Sequence, residues 1–389
     1  MVVREISNLL RELATQYPVV TVTGPRQSGK TTLVQALFHD KPYINLELLD
    51  QREFARTDPR GFLKKIPSGA VLDEIQRVPE LLSYIQGIVD EAKVNGMFIL
   101  TGSQQFEVLN SISQSLAGRT ALLKLLPFSI TEIKKNYGFS SINELIYKSF
   151  YPRIYDQNLD PTLAMRNYFE TYIERDLRQL VQIKNLLLFQ KFVRLCAGRV
   201  GQILNLNSLG NDAGVTHTTA REWLSLLEAS YIVFLLEPFY RNVGKRLIKS
   251  PKLYFYDVGL ASYLLGIENL THLESHPLRG NLFENLVIAE ILKFRFNQGK
   301  GNNLNFYRDS TGNEIDVIFN IAHHILPIEI KMAETVAPDF LKGLKALEKV
   351  IDTYPYGRCV VYGGDHEETR QDIKITPVVG MLDLLRKIS

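Results

Sequence analysis

The chain is poor in the residues that staple a fold or cross a membrane. Only two of its 389 residues are cysteine, Cys196 and Cys359, far apart and without CxxC spacing. That argues against a disulfide framework, and a lone His323-His324 pair remote from both argues against a zinc knuckle. A reducing, cytoplasmic setting is expected. No apolar run approaches the ~20 residues needed to span a bilayer. The opening Met1-Val2-Val3-Arg4-Glu5 reaches an acidic residue before any signal-like apolar core, so no membrane partner is expected. Charge of one sign is scarce as well. The 45 Lys and Arg nearly balance 42 Asp and Glu, leaving +3, and no global field selects a partner. The surplus is local: residues 191–260 carry nine Lys/Arg against five Asp/Glu, which points mildly to nucleic acid or another acidic partner there. Chance variation of a surface gives the same excess.

What is present is an ordinary globular mixture, 45% hydrophobic and 22% charged, enough to bury a core and to rule out a disordered or collagen-like chain. The length predicts two or three domains. Early in the chain short apolar runs alternate with helical periods, the pattern of βαβ units and a parallel sheet. Strands are expected at Val19–Thr23, Tyr43–Glu47, Ala70–Leu72, Met97–Thr101 and Ala121–Leu125, with a helix at Lys30–Phe38 and a short one opened by Pro127-Phe128-Ser129. From Tyr151 to about Leu270 the pattern turns mostly helical, with Arg166–Val181 the clearest amphipathic stretch. Within it Leu204–Ala213, a Gly214-Val215-Thr216 turn and His217–Ala229 read as a helix-turn-helix. Tyr231–Leu236 and Leu253–Phe255 read as strands of a wing, and Trp223 sits at core spacing. Beyond Gly280 come a helix at Leu282–Phe296 and strands at Asn305–Tyr307, Glu314–Phe319, Ile325–Lys331 and Cys359–Tyr362. With a GxxxxGK[ST] loop at Gly24–Thr31 and acidic strands at Glu314 and Glu329, the expected architecture is α/β: a parallel-sheet P-loop NTPase domain (1–155), a helical winged-helix segment (156–275) and an α/β domain (276–389) that resembles the restriction-endonuclease fold.

The strongest motif is Gly24-Pro25-Arg26-Gln27-Ser28-Gly29-Lys30-Thr31, a full GxxxxGK[ST] phosphate loop placed after a strand and before a helix, with Thr32 completing the nucleotide-binding set. Its glycines let the backbone wrap phosphates with inward N–H donors, and the following helix adds the positive end of its dipole. Lys30 is expected on the β- and γ-phosphates, and the Thr31 hydroxyl on Mg²⁺. Ala70-Val71-Leu72-Asp73-Glu74 supplies a strand ending in an acidic pair. Asp73 is expected to hold the Mg²⁺ shell and Glu74 to polarise the attacking water. Thr101 and Ser103, at the tip of the next strand, are candidate sensors of the γ-phosphate. Arg119 is a candidate stabiliser of transition-state charge, in cis or across a subunit interface, and the second case requires a homo-oligomer. Its alternative role is to pack the sheet edge.

The segments GPRQSGKTTL, VLDEIQRVPELL, ILTGSQ and SLAGRTALLKLLPFS resemble the bacterial and archaeal AAA-superfamily ATPases that carry a C-terminal DUF4143 domain. TYIERDL, YFYDVGLASYLLG and FENLVIAEIL extend the resemblance over nearly the whole chain. It implies ATP binding, with Mg²⁺, and ATP hydrolysis. It does not define a physiological role.

Near the C-terminus Glu314-Ile315-Asp316, then Glu329-Ile330-Lys331, resemble the PD-(D/E)xK nuclease pattern, with Ile315 where Pro is often seen. Strand alternation puts Glu329 and Lys331 on one face. Asp316 and Glu329 are candidate Mg²⁺ ligands, Lys331 a group that orients water, and Glu284 a further carboxylate from the preceding helix. An inactive remnant of the same fold gives the same pattern. In the middle segment Thr218 and Arg221, with Thr216, His217 and Thr219 around them, open a helix suited to DNA, and Arg241, Lys245, Arg246 and Lys249 suit phosphate contacts from a wing. Packing against the ATPase domain is the alternative use of such a fold. Three functions follow: an ATPase whose nucleotide state controls the C-terminal domains, an ATP-dependent DNA nuclease, or a nucleotide-gated DNA-binding regulator without cleavage.

Overall fold

The computed structural model describes residues 2–103, 115–174, 185–239, 250–309, 312–348 and 357–388. The chain divides into two compact units. The first comprises Met1–Phe128, Ala229–Tyr231 and Arg295–Gly301, and the second Ser129–Glu228, Ile232–Phe294 and Asn302–Ser389.

The first unit is built on strands β1 (Val19–Thr23), β2 (Tyr43–Asn45), β3 (Ala70–Asp73), β4 (Phe98–Gly102) and β5 (Thr120–Lys124). They form one sheet in the order β2-β3-β4-β1-β5, with every pairing parallel. Alternation divides their side chains between two cores. Val20, Val22, Val71, Ile99 and Leu123 meet Ile6 and Leu10 around helix α1 (Ser7–Gln16), and Leu33 and Val34 on α2 (Lys30–Leu37). Val19, Leu72, Phe98 and Leu100 meet Leu81, Ile85 and Val89 on α3 (Leu81–Ala92) on the other face. Covering both faces is what a parallel sheet demands, and each fully buried Val, Leu, Ile or Phe contributes roughly 1.5–3 kcal/mol.

In the second unit, helices α4 (Leu206–Ala213) and α5 (His217–Ala229) flank a turn at Gly214, whose φ of +83° suits glycine. Asn205 caps α4 by accepting from Ser208 N, so the helix starts two residues later than its apolar pattern suggests. Strands β6 (Val233–Leu236) and β7 (Lys252–Phe255) pair antiparallel. Trp223 is buried edge-on to Phe189 and Phe192. The expected 166–181 helix is not one regular element. An α-helix runs Pro161–Tyr168, capped by Asp160, and continues as a π-helix over Phe169–Glu174; residues 175–184 lie outside the described ones. The i→i+5 bonding of a π turn departs from the 3.6-residue period, and a pattern read over the whole stretch averages that departure out.

Helix α6 (Arg279–Asn297) precedes β8 (Leu304–Arg308), β9 (Glu314–Ile321), β10 (His324–Lys331), β11 (Arg358–Tyr362), β12 (Glu368–Arg370) and β13 (Ile373–Thr376). These make a mixed sheet, β12-β13-β11-β10-β9-β8, in which β10–β11 and β11–β13 are parallel and the other pairs antiparallel. Ile315, Ile318, Ile325, Val360 and Ile375 pack with Leu344 and Leu347 in its core.

Candidate active site

The phosphate loop leaves β1 at Thr23 and enters α2 at Lys30. Gly24 is required by space: a Cβ there would fall 2.1 Å from Leu125 O. Gln27 and Gly29 take positive φ, +61° and +92°, which turn the backbone into the loop. Lys30 is almost fully buried, and its ammonium donates to Gly24 O at 2.9 Å and Pro25 O at 2.8 Å. Burial pushes its pKa down to about 8, against the opposing pull of Glu74 and Asp73. Arg26 pairs with Glu47 at 3.5 Å, and Thr32 is exposed on α2. Ser28 Oγ is buried with no hydrogen-bond partner among the described residues, an orphaned polar atom inside the loop.

Asp73 is the hub. Its Oδ2 accepts from Thr31 Oγ1 at 2.8 Å and from Tyr43 OH at 2.6 Å, and its Oδ1 accepts from Thr101 Oγ1. Glu74 follows in the left-handed region, φ +58°, a costly conformation for this residue type that turns its side chain away from the strand direction. Its backbone N donates to Thr101 Oγ1 at 3.3 Å, and its Oε2 accepts from Ser103 Oγ at 3.0 Å and from Gln76 Nε2. Thr101 thus touches the strand-end aspartate and Ser103 the glutamate, both from β4 or its tip, which lies beside β3.

A hydroxyl and a carboxylate beside a phosphate loop are hard-oxygen donors of the kind that hold Mg²⁺ together with a nucleotide's own phosphates. The residues fit that ion, with Thr31 and Asp73 as its protein side. Arg119 does not join them. It precedes β5 at the edge where Val19 pairs with Thr120, whereas the loop leaves from the edge where Thr23 pairs with Lys124. Roughly 16 Å of strand separates the two edges. There Arg119 makes a bidentate pair with Asp90, at 2.5 and 2.8 Å. In this structure Arg119 takes the sheet-edge role that was its alternative, fixing α3 to that edge.

Four contributors carry no motif. Tyr43 reaches Asp73 from β2, and Gln76 reaches Glu74 from the turn after β3. Arg4, buried beneath the loop, donates to Ser28 O at 2.8 Å and Leu126 O at 2.7 Å and lies 5.0 Å from the Phe128 ring centroid. Tyr231, with φ +57°, places its hydroxyl 2.9 Å from Thr23 Oγ1, at the last strand residue before the loop.

The AAA domain family matches residues 16–134, which contain the loop, the strand-end acids and their partners except Arg4 and Tyr231. The chain carries an AAA domain. After that domain, a domain of unknown function, DUF8612, matches residues 139–271, and DUF4143, also of unknown function, matches 279–380. Uncharacterized proteins of Mycobacterium bovis (Mb2031c) and Mycobacterium tuberculosis (Rv2008c) are each 29% identical over 367 residues, 93% of this chain and 80% of theirs. Among solved structures, the Walker-type ATPase PABY2304 of Pyrococcus abyssi is similar, with 16% identity over 67% of this chain and 94% of that one and a TM-score of 0.46.

In the second unit, the DUF4143 domain brings Glu284, Asp316, Glu329 and Lys331 together. Lys331 Nζ lies 2.6 Å from Glu329 Oε1 and 3.9 Å from Asp316 Oδ2, and Asp316 Oδ2 also accepts from Ile330 N at 2.7 Å. Burial and the neighbouring Asp316 push the Glu284 and Glu329 carboxyls up. Lys252 and Tyr254 on β7, which sequence reading passed over, both reach Glu284. Thr218 and Arg221 are exposed on the first turns of α5, where Thr216 Oγ1 caps Thr219 N at 3.2 Å. Arg241, Lys245, Arg246 and Lys249 lie outside the described residues. No helix among those described is long and apolar enough to cross a membrane.

Proposed function

We propose that the AAA domain binds and hydrolyses ATP with Mg²⁺, and that its nucleotide state biases contact of the chain's later segments with DNA. The observation that carries the first half is the convergence of Thr31, Tyr43 and Thr101 on Asp73, with Glu74 held one residue further at the mouth of the loop. In this reading the loop amides and the Lys30 ammonium bind the phosphates. Lys30 exchanges its two loop carbonyls for phosphate oxygens. Thr31 and Asp73 would hold the ion, which would supply positive charge beside the phosphates. Glu74, once Ser103 and Gln76 release it, accepts a proton from the attacking water. Arg119, if it acts at all, does so from a second copy of the chain.

The second half rests on the exposed Thr218 and Arg221 at the start of α5 and on the local basic surplus of residues 191–260. It is tested by fluorescence anisotropy of labelled duplex DNA across a salt series, with and without non-hydrolysable nucleotide. The reading expects salt-sensitive binding whose affinity differs several-fold between the two states and which falls in Arg221→Ala. Affinity that ignores both salt and nucleotide sinks it.

A further inference from the structure

The cluster in the second unit is built around a cation of its own. Lys252 Nζ lies 3.1 Å from Glu284 Oε1 and 2.5 Å from Glu314 Oε1, with its side chain 3% exposed. It also lies 5.5 Å from the centroid of the Phe306 ring. Tyr254, two residues along the same face of β7, donates to Glu284 as well. Two further cations complete the set: Arg308 NH1 is 3.1 Å from Glu314 Oε2, and Lys331 bridges Glu329 and Asp316. Three cations thus face four carboxylates, and an ion pair reaches each acid.

We propose that the Lys252 ammonium is the resident cation of the Glu284–Glu314–Asp316–Glu329 cluster, and that the cluster is an ion-pair lock tying β7 to β9 and α6 instead of a divalent-metal centre. Mg²⁺ demands several oxygens converging at about 2.0–2.1 Å in octahedral directions. Here Glu284 Oε1 and Glu314 Oε1 are turned toward Lys252, Glu329 Oε1 toward Lys331, and Asp316 Oδ2 toward the Ile330 amide. Among the described residues no group of three or more His, Cys, Asp or Glu side chains is arranged to hold a metal ion. Of the cluster's oxygens, Glu329 Oε2 is the one that is both buried and without a hydrogen-bond partner among the described residues. A divalent ion would add two charges to a cluster already close to balance and would have to expel an ammonium from its two carboxylates. The donor set expected for a metal-dependent nuclease therefore does not fit the ion. The cluster instead depends on a residue that precedes the DUF4143 domain in sequence, so the domain's acids are completed by the strand before it.

The test uses the full-length chain carrying Lys30→Ala and Asp73→Asn, which removes the ion's site in the AAA domain. Mn²⁺ binding is followed by electron paramagnetic resonance, and thermal unfolding is followed in EDTA and in millimolar Mg²⁺. The proposal expects no bound Mn²⁺ and the same unfolding temperature in both solutions. It also expects Lys252→Met in this background to unfold on the order of 10 °C lower, because buried acids lose their partner. Failure of that variant to fold agrees with the lock, and the comparison of EDTA with Mg²⁺ stands without it. Stoichiometric Mn²⁺ that disappears in Asp316→Asn, or Lys252→Met of unchanged stability, overturns the proposal. Neither readout involves nucleotide, so its failure is separate from any failure of the ATPase reading.

Discussion

Ser103 Oγ donates to Glu74 Oε2 at 3.0 Å, and Gln76 Nε2 reaches the same oxygen. Two donors thus occupy one carboxylate oxygen, which must be freed before it can meet an attacking water. The acid at the mouth of the loop is thus restrained by its neighbours, and its release is part of any turnover. Replacing Gln76 by Leu keeps the volume and removes one donor. Basal ATP turnover should rise about three- to tenfold, the effect of losing a charged hydrogen bond of ~1.5 kcal/mol or less. Nucleotide affinity should stay within about twofold of the parent, because Gln76 does not touch the loop. Steady-state kinetics read both, and a fall in turnover contradicts the restraint.

Lys30 sets the pH dependence of nucleotide binding. Without ligand its ammonium titrates at about 8, lowered by burial. Phosphate binding favours the charged form and raises that value, so above it binding must take up a proton. Affinity should be flat below pH 8 and then weaken by up to about tenfold per pH unit as pH rises toward the bound value. Isothermal titration in buffers of different ionisation enthalpy shows the uptake directly; affinity unchanged to pH 9.5 would falsify the assignment.

Tyr43 positions Asp73. Thr31 and Tyr43 both donate to Oδ2, and with Thr31 given over to an ion Tyr43 would remain its donor. Tyr43→Phe should weaken binding of the Mg²⁺-nucleotide complex by roughly tenfold, the range of a hydrogen bond to a charged group, and leave binding in EDTA unchanged. Equal losses in both solutions point to a purely structural tyrosine.

The sheet, the loop and the strand-end acids were legible because each announces itself locally. Val19–Thr23 is a β-branched run closed by Gly24-Pro25, and Lys30–Leu37 follows at helical spacing. The expected strands agree with the observed ones to within a residue or two at each end in β1, β3, β4 and β5. What was not legible is pairing. Tyr43 reaches Asp73 only because β2 lies beside β3 with Asn45 opposite Asp73. Lys252 reads as an ordinary surface lysine until β7, α6 and β9 surround it. For Arg119 the sheet-edge role was open to the sequence, since a residue before a parallel strand lies away from a loop that follows one, but its partner Asp90 was not. Glu368–Arg370 holds no apolar residue, and Ile373–Thr376 alternates over only four residues.

Arg4 supports the loop from below. Its guanidinium satisfies two carbonyls, at Ser28 and Leu126, in a buried position. Arg4→Ala leaves both oxygens unpaired and should cost about 2–4 kcal/mol of stability. Denaturant unfolding measures it, and a change below 0.5 kcal/mol, about the noise of a surface substitution, would mean that water replaces the arginine freely.

The central claim is that this loop and acid pair bind and hydrolyse ATP. The most direct measurement is Mg²⁺-dependent ATP binding and turnover in the parent, Lys30→Ala and Glu74→Gln. The account predicts turnover in the parent, no detectable binding in Lys30→Ala, and in Glu74→Gln retained binding with turnover lowered at least a hundredfold. Turnover that persists at parental rates in both variants would contradict it.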